Sequence, residues 1–166
     1  ERLNRRIEEL AKDDAYEASV RKLCCFLGVK ARTTLAAIVE AGDFKCFSSA
    51  EQFASYIGLV SSEDSGSGDQ NPLGITKAGN RHVRMLLVEA AQSFSEEDRL
   101  KSAALIQRQT RNTPEVIAYA DRANERLRRK YYKMVLGQNK RINVAKTAVA
   151  RELPGFIWGM MTGNIA

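Results

Sequence analysis

The chain has 166 residues, of which 44% are hydrophobic and 28% are charged, and its formal net charge is +6. This composition is ordinary for a soluble globular protein with one core, and no apolar run approaches the roughly 20 residues that cross a membrane. Three cysteines without a Cys-x-x-Cys spacing and a single histidine argue against a disulfide framework and a zinc site.

The opening residues, ERLNRRIEEL, predict an amphipathic helix, because Leu3, Ile7 and Leu10 share one helical face. Such a charged opening is unlike a secretory signal peptide. We interpret residues 1–12 as the end of a linker helix, a coiled coil that joins this domain to a preceding part of a longer chain. The alternative is a terminal helix that packs on its own domain.

Two further helices are predicted over residues 14–26 and 33–41. Gly28 closes the first of them, as a left-handed glycine after a helix end would, and the second ends at Gly42. The apolar face of the first helix consists of Ala18, Val20, Leu23, Cys24 and Leu27. The unit LGVKARTTLAAIVEAG has the outline of a helix-hairpin-helix, whose tight turn presents backbone N–H groups to a DNA phosphate. An ordinary corner between two helices explains the pattern as well.

A short helix is predicted over residues 50–57, with Ser48 and Glu51 as a capping box at its start. Aromatic side chains carry a large apolar area and can close a small core. We therefore interpret the aromatic residues near this helix as packing rather than as platforms for bases. They are Phe44, Phe47, Phe53 and Tyr56.

A polar run rich in serine and glycine, residues 61–74, precedes the most apolar predicted helix, residues 76–94. The apolar face of that helix consists of Val83, Leu86, Leu87, Ala90, Ala91 and Phe94. Its first turns carry the basic side chains Lys77, Arg81, His82 and Arg84. One interpretation is a linker before a solubilised helix end. The other is an active-site loop before a helix start that binds phosphate.

A short helix over residues 100–108 is followed by a long one that begins at Thr113-Pro114-Glu115. This start supplies an N-cap, a proline at the first position and an acid in the first turn. The helix is expected to end at Gly137. Its apolar side consists of Val116, Ala120, Ala123, Leu127, Met134 and Val135. Its basic side consists of Arg122, Arg126, Arg129, Lys130 and Lys133.

The positive charge is concentrated around this helix. Residues 101–151 contain 13 Lys or Arg and 3 Asp or Glu, a net charge of +10. Because the whole chain carries +6, the rest of it carries a net charge of −4. Such asymmetry favours a polyanionic partner, most often nucleic acid. A solvated helix face is the alternative.

The last helix is predicted over residues 142–160, and Pro154 is expected to kink or split it. Its apolar face consists of Val144, Ala148, Leu153, Phe156 and Ile157. The elements together predict an all-α, compact multi-helix domain over residues 13–161. The helical arm 1–12 precedes this domain, and a tail, 162–166, follows it.

Several stretches resemble the C-terminal domain of insertion-sequence 110/116/902 family transposases. They are FSSAEQFASYIGLV, the serine-glycine run, GITKAGNRHVRMLLVEAAQSF, NERLRRKYYKMVLGQ and TAVARELPGFIWGM, in this order. The resemblance implies a recombinase that cuts and rejoins DNA. It also implies an N-terminal RuvC-like domain, absent from this chain, whose carboxylates bind Mg²⁺, and no cofactor in this chain itself. The implied partners are DNA, a bridge RNA and further copies in dimers or tetramers, without a membrane, in the cytoplasm at the nucleoid.

The resemblance also implies a serine nucleophile in the serine-glycine run, placed at Ser65 with Ser67 as the alternative. Lys77, Asn80, Arg81, His82 and Arg84 would bind phosphate, and the basic side of the long helix would bind nucleic acid. A serine hydroxyl needs a base or metal to activate it, and no convincing base is found in this chain. We therefore expect the isolated chain to be inactive. A noncatalytic nucleic-acid-binding or dimerisation module is the alternative function.

Overall fold

The computed structural model describes residues 2–62, 73–75, 79–95 and 101–166. Within these ranges the chain forms eight α-helices, which confirms the all-α prediction. They are α1 Arg2–Leu10, α2 Glu17–Leu23, α3 Ala31–Ala41, α4 Ala50–Ile57, α5 Arg81–Ala91, α6 Ala103–Gln109, α7 Pro114–Tyr132 and α8 Ile142–Thr162. Short 3-10 turns cover Phe44–Cys46 and Gln92–Ser95, and a π-helical turn covers Lys133–Gly137. Two short strands, β1 Ser61–Ser62 and β2 Leu73–Ile75, form an antiparallel pair.

Helix α8 is the central element and packs against α7, α4 and α5. Its core side chains include Val149, Leu153 and Ile157, all fully buried. Burial of one such side chain contributes about 1.5–3 kcal/mol. The prediction for Val144 is wrong, since this residue is 48% exposed. Ala145 is buried instead, so the buried face of α8 begins one residue later than predicted.

Pro154 lies inside α8 and does not split it. Proline lacks the N–H group that would bond to the carbonyl of Ala150 one turn earlier. Leu153 and Ile157 on either side are nevertheless fully buried against neighbouring helices. Tertiary packing therefore keeps the helix continuous where local preference would end it.

Helix α5 buries the apolar face that the sequence predicts: Val83, Leu86, Leu87, Ala90 and Ala91, with Phe94 in the turn that follows. The helix starts later than residue 76, at Arg81. Asn80 caps it, because its side-chain oxygen accepts a hydrogen bond from the Val83 N–H at 3.1 Å. The cap fixes the start at the residue where an acceptor is available for the first N–H groups.

The short helix α4 begins at Ala50 as predicted, but its cap is Ser49 rather than Ser48. The Ser49 hydroxyl accepts from the Gln52 N–H at 3.2 Å, and the Gln52 side chain returns to the Ser48 N–H at 2.6 Å. Gln52 therefore performs the role that was assigned to Glu51. The aromatic residues do pack together, with ring centroids of Phe44 and Phe53 5.1 Å apart.

Helix α2 ends at Leu23, earlier than predicted, and the chain after it turns back with tighter bonds, from the Cys25 N–H to the Lys22 carbonyl and from the Phe26 N–H to the Leu23 carbonyl. Side-chain bonds from α7 hold this turn. The Leu27 N–H donates to Asn124 Oδ1 at 2.8 Å, and Asn124 Nδ2 donates to the Cys25 carbonyl at 3.2 Å. Gly28 has a positive φ of 76°, and a Cβ there would lie 2.1 Å from the Ala90 carbonyl oxygen. This turn therefore packs against α5, and the helix-hairpin-helix stays a prediction.

Helix α1 forms as predicted. Ile7 packs on a small cluster of Ala11, Val20, Cys24 and Leu35, whereas Leu3 is 72% exposed. The helix thus contacts its own domain through one turn. The coiled coil stays a prediction.

Candidate nucleic-acid interface

The two ends of the serine-glycine segment lie side by side. Strands β1 and β2 pair in antiparallel fashion, with Ser61 opposite Ile75 and Ser62 opposite Leu73. Ser65, Ser67 and Lys77 themselves lie outside the described residues. The pairing holds both ends of the segment together, and α5 begins at Arg81, a few residues later in the sequence.

Asn80 anchors the start of α5 to two other helices. Its N–H donates to the Tyr56 carbonyl at 3.0 Å, and its Nδ2 donates to Glu40 Oε2 at 2.7 Å. Its Oδ1 already caps α5 through Val83. Sequence reasoning assigned Asn80 to phosphate, but the structure gives all its side-chain polar atoms structural partners. Glu40 had no signal in the sequence, because it lies 40 positions away.

Three basic residues of α5 lie at or near its N-terminus. Arg81 and His82 are exposed, and Arg84 is half-buried with its guanidinium donating to the Ile57 carbonyl at 3.3 Å. The backbone N–H groups of Arg81 and His82 are the first of the helix and have no acceptor within it. Exposed cations together with a helix N-terminus form a favourable environment for an anion.

A wide groove of about 1080 Å³ runs beside these cations, between α3, α5 and α8. We call it the α5 groove. It is lined by Arg32, Arg81, His82, Arg84, Met85, Leu86, Val88, Glu89, Gln92 and Thr147. Arg32 belongs to α3 and was not among the predicted site residues. No periodicity or motif links it to α5, so only the tertiary fold places it there.

On the predicted basic side of α7, by contrast, two cations are already paired with a carboxylate. Arg126 Nε and Lys130 Nζ both pair with Glu152 of α8, the latter at 2.7 Å. Burial alone would raise the pKa of the Glu152 carboxyl, but the hydrogen bonds from Lys130 and Arg126 hold it below its usual value of 4.5. Arg126 and Lys130 thus join α7 to α8.

The remaining α7 cations also differ from one another. Arg129 pairs with Glu125 on the same helix, and Arg122 donates to the Ile165 carbonyl at 3.0 Å while lying over the Tyr119 ring. Lys133 is exposed in the π-helical turn. None of the α7 cations lines the α5 groove among the described residues. In the described part of the chain, the α5 groove is therefore lined by cations of α3 and α5 and not by those of α7.

Among the described residues, no three His, Cys, Asp or Glu side chains lie together in a way that could hold a metal ion. No described helix is both long enough and apolar enough to cross a membrane.

Comparison with known proteins identifies the family. Residues 20–107 match the model of the transposase IS116/IS110/IS902 family. The putative transposase y4qE of Sinorhizobium fredii is 36% identical over 154 residues, which cover 93% of this chain and 39% of that protein. A probable family 20 transposase of Pseudomonas aeruginosa is 32% identical over 92 residues, or 55% of this chain and 26% of that protein.

The chain thus spans about two fifths of the first relative's length and covers a smaller part of the second. The matched region, residues 20–107, includes the β1–β2 pair and the whole of α5. The match covers more than half of the 166 residues. The chain belongs to the IS116/IS110/IS902 family of transposases.

Proposed function

We propose that this chain is the C-terminal, nucleophile-bearing part of a transposase that cuts and rejoins DNA. Ser65, or alternatively Ser67, is the nucleophile, and Lys77, Arg81, His82 and Arg84 bind the phosphate under attack. One observation carries this proposal. The β1–β2 pair holds the two ends of the serine-glycine segment together, and in the sequence three residues, 76–78, lie between Ile75 and Gly79, which precedes the capped start of α5.

The arrangement suits phosphoryl transfer. The serine oxygen forms a bond to phosphorus while the bond from phosphorus to one deoxyribose oxygen breaks, and the serine proton passes to a base. Negative charge gathers on the phosphoryl oxygens in that transition state. Arginine side chains and helix N–H groups stabilise such charge when they are already in place. Rejoining reverses the step, with a deoxyribose hydroxyl as the attacking group.

The base and the metal come from outside this chain in our proposal. Mg²⁺ would supply charge stabilisation and help to activate the serine hydroxyl, and carboxylates of an N-terminal RuvC-like domain would hold it. A bridge RNA selects the DNA sites, and dimers or tetramers bring serines and carboxylates together. The whole assembly acts in the cytoplasm on nucleoid DNA. The 166-residue chain alone is therefore inactive as a recombinase.

The test uses the full-length transposase that contains this chain, with its RNA, Mg²⁺ and end-labelled target DNA. Protein–DNA adducts that survive denaturation are separated on a denaturing gel. Wild type is compared with Ser65→Ala, Ser67→Ala and the control Ser55→Ala, which changes an exposed serine of α4.

We expect the adduct to disappear in one of the two segment variants and to persist in Ser55→Ala. Retention of the adduct in both segment variants, or its absence from wild type, would refute the serine assignment. Unchanged nucleic-acid binding in either case would point to a noncatalytic binding module instead.

A further inference from the structure

The chain reverses direction between α7 and α8, and we call this stretch, residues 133–144, the α7–α8 corner. Its first part is the π-helical turn Lys133–Gly137. Turns of this kind are rare and are frequently found at functional sites. Every residue from 136 to 144 is exposed. Most of the corner is therefore accessible to a partner.

Backbone hydrogen bonds hold the corner in shape. The Gln138 N–H donates to the Lys133 carbonyl at 3.0 Å, and the Lys140 N–H donates to the Met134 carbonyl at 2.9 Å. Asn139, between the two donors, has a positive φ of 49°, a conformation that asparagine adopts more readily than most residues. The Met134 side chain packs against the core. The exposed side chains are thus carried by a turn that is anchored to the domain.

The corner carries positive charge that no described carboxylate neutralises. No Asp or Glu lies between Glu125 and Glu152 in the sequence, and these two carboxylates pair with cations that lie earlier on α7. Among the described residues, no ion pair is formed by Lys133, Lys140 or Arg141, all of which are exposed. Such a group of cations attracts a polyanion.

The corner also exposes apolar side chains. Leu136 is 77% exposed, Ile142 is 53% exposed and Val144 is 48% exposed. The preceding Met134 and Val135 supply the contacts of this turn with the core. Leu136 adds nothing to the binding of a phosphate. The partner that fits the corner therefore offers apolar surface beside its negative charge.

We infer that the α7–α8 corner docks on duplex DNA, with Lys133, Lys140 and Arg141 at its phosphates and Leu136 against sugars and base edges in a groove. A duplex presents phosphates on both sides of a groove whose interior includes apolar sugar and base surface. Leucine and isoleucine side chains enter DNA grooves in other DNA-binding proteins. This inference rests on the proposed function, because it takes as partner the DNA that the transposase cuts and rejoins.

Two other occupants fit the corner less well. Sites for unpaired strands rely on aromatic side chains that stack on the bases, and residues 133–144 contain no aromatic residue. A second copy that docked through the same corner would bring like charges together, which is unfavourable. Both occupants are tested below.

The corner is separate from the basic start of α5. Tyr132, the last residue of α7, donates its hydroxyl to the carbonyl of Ser95, beyond the end of α5, at 3.4 Å. Arg81 begins α5 at the opposite end, and a helix of 11 residues is about 16 Å long. Variants of the corner therefore leave the start of α5 unchanged.

The experiment measures fluorescence anisotropy of the purified chain with labelled duplex DNA, single-stranded DNA and single-stranded RNA at several salt concentrations. One variant, Lys140→Gln with Arg141→Gln, removes two cations of the corner. The other, Leu136→Ala, removes most of its exposed apolar tip. Circular dichroism establishes that each variant is folded, and sedimentation equilibrium gives its oligomeric state.

Two controls match these variants elsewhere on the surface. Lys12→Gln with Lys45→Gln removes two exposed cations outside the corner. Ile106→Ala shortens an apolar side chain of α6 that is 50% exposed. Both controls should bind DNA as the wild type does.

We expect the double cation variant to weaken duplex binding about tenfold and to lower the salt slope by about 1.8, the value for two phosphates of B-DNA. Leu136→Ala is expected to weaken duplex binding about fivefold at an unchanged salt slope, because only apolar contact is lost. Its affinity for single strands should be nearly that of wild type.

Four outcomes would overturn the inference. Wild-type duplex affinity in both corner variants would exclude the corner as a DNA site. Equal losses on duplex and single strands in Leu136→Ala would assign it to unpaired strands instead. A wild-type dimer that Leu136→Ala dissociates would assign it to a second copy. Absence of duplex binding by wild type would remove the DNA contact altogether. The serine adduct assay on the full-length protein reads a different step, so the two proposals can fail separately.

Discussion

Gly79 lies directly against the carbonyl oxygen of Tyr56, so that a Cβ atom on Gly79 would sit 2.4 Å from that oxygen. Its φ of 107° is in the region that L side chains rarely adopt. The next residue, Asn80, donates its N–H to the same carbonyl. The end of α4 and the start of α5 are therefore in contact through backbone atoms, and this contact fixes the position of Arg81.

Gly79→Ala is expected to destabilise the chain by about 3 kcal/mol, because it adds a steric clash to an unfavourable φ. Gly163→Ala is the matched control, since Gly163 also has a positive φ, of 80°, but has nothing within 4 Å of the added Cβ. Its cost should be about 1 kcal/mol. Urea unfolding followed by circular dichroism measures both. Equal costs for the two variants would show that the contact with Tyr56 relaxes easily.

Glu152→Gln is expected to lower the free energy of unfolding by about 1–2 kcal/mol near neutral pH, because it removes the carboxylate shared by Arg126 and Lys130. The pKa of Glu152 is lowered in the folded state, so its contribution is present above the usual value of 4.5 and is lost as the pH falls through the folded value. The difference between wild type and variant should therefore shrink in acid.

Glu125→Gln serves as the control for that experiment. Glu125 pairs with Arg129 four residues later, and both side chains are more than two thirds exposed. Such pairs contribute only about 0.3–0.5 kcal/mol. Unfolding curves at several pH values should therefore show a small effect for this variant. A pH-independent loss in Glu152→Gln would mean that shape rather than charge matters at the α7–α8 contact.

Arg81→Gln is expected to weaken nucleic-acid binding by the chain about fivefold and to lower the salt slope by about 1 on duplex DNA. Arg81 is exposed at the start of α5, so stability should change by less than about 0.5 kcal/mol. Lys130→Ala should show the reverse pattern, because Lys130 is paired with Glu152. Anisotropy titrations and urea unfolding separate the two effects. Loss of affinity only in Lys130→Ala would move the interface to α7.

The cysteines are expected to differ in reactivity toward a disulfide reagent at about pH 8, because only a thiolate attacks. Burial, and secondarily the adjacent Cys24, raises the pKa of the Cys25 thiol to about 11, and burial also raises the pKa of Cys24. Cys46 is exposed. Native protein should therefore show one fast thiol, which Cys46→Ser removes. Fast reaction of a second thiol would reveal opening of the segment after α2.

The sequence alone determined much of the fold. Caps and periodicity predicted the start of α7 at Pro114 and the end of α3 before Gly42, because these signals act within one helical turn. The buried face of α5 was also predictable from the sequence, since its apolar residues recur every three to four positions and so share one side of the helix. The motifs around that helix also indicated the family, and residues 20–107 confirmed it.

Tertiary structure decided the rest, because contacts between distant residues leave no local pattern. Asn124 holds the turn after α2 from about 100 positions away, and packing around Leu153 keeps α8 continuous through Pro154. Contacts between distant residues also decided the candidate nucleic-acid interface. Glu152 neutralises cations that looked free in the sequence, while the fold brings Arg32 to the α5 groove. Local periodicity therefore determined which faces are buried, and the three-dimensional packing of those faces determined which charges remain exposed to a partner.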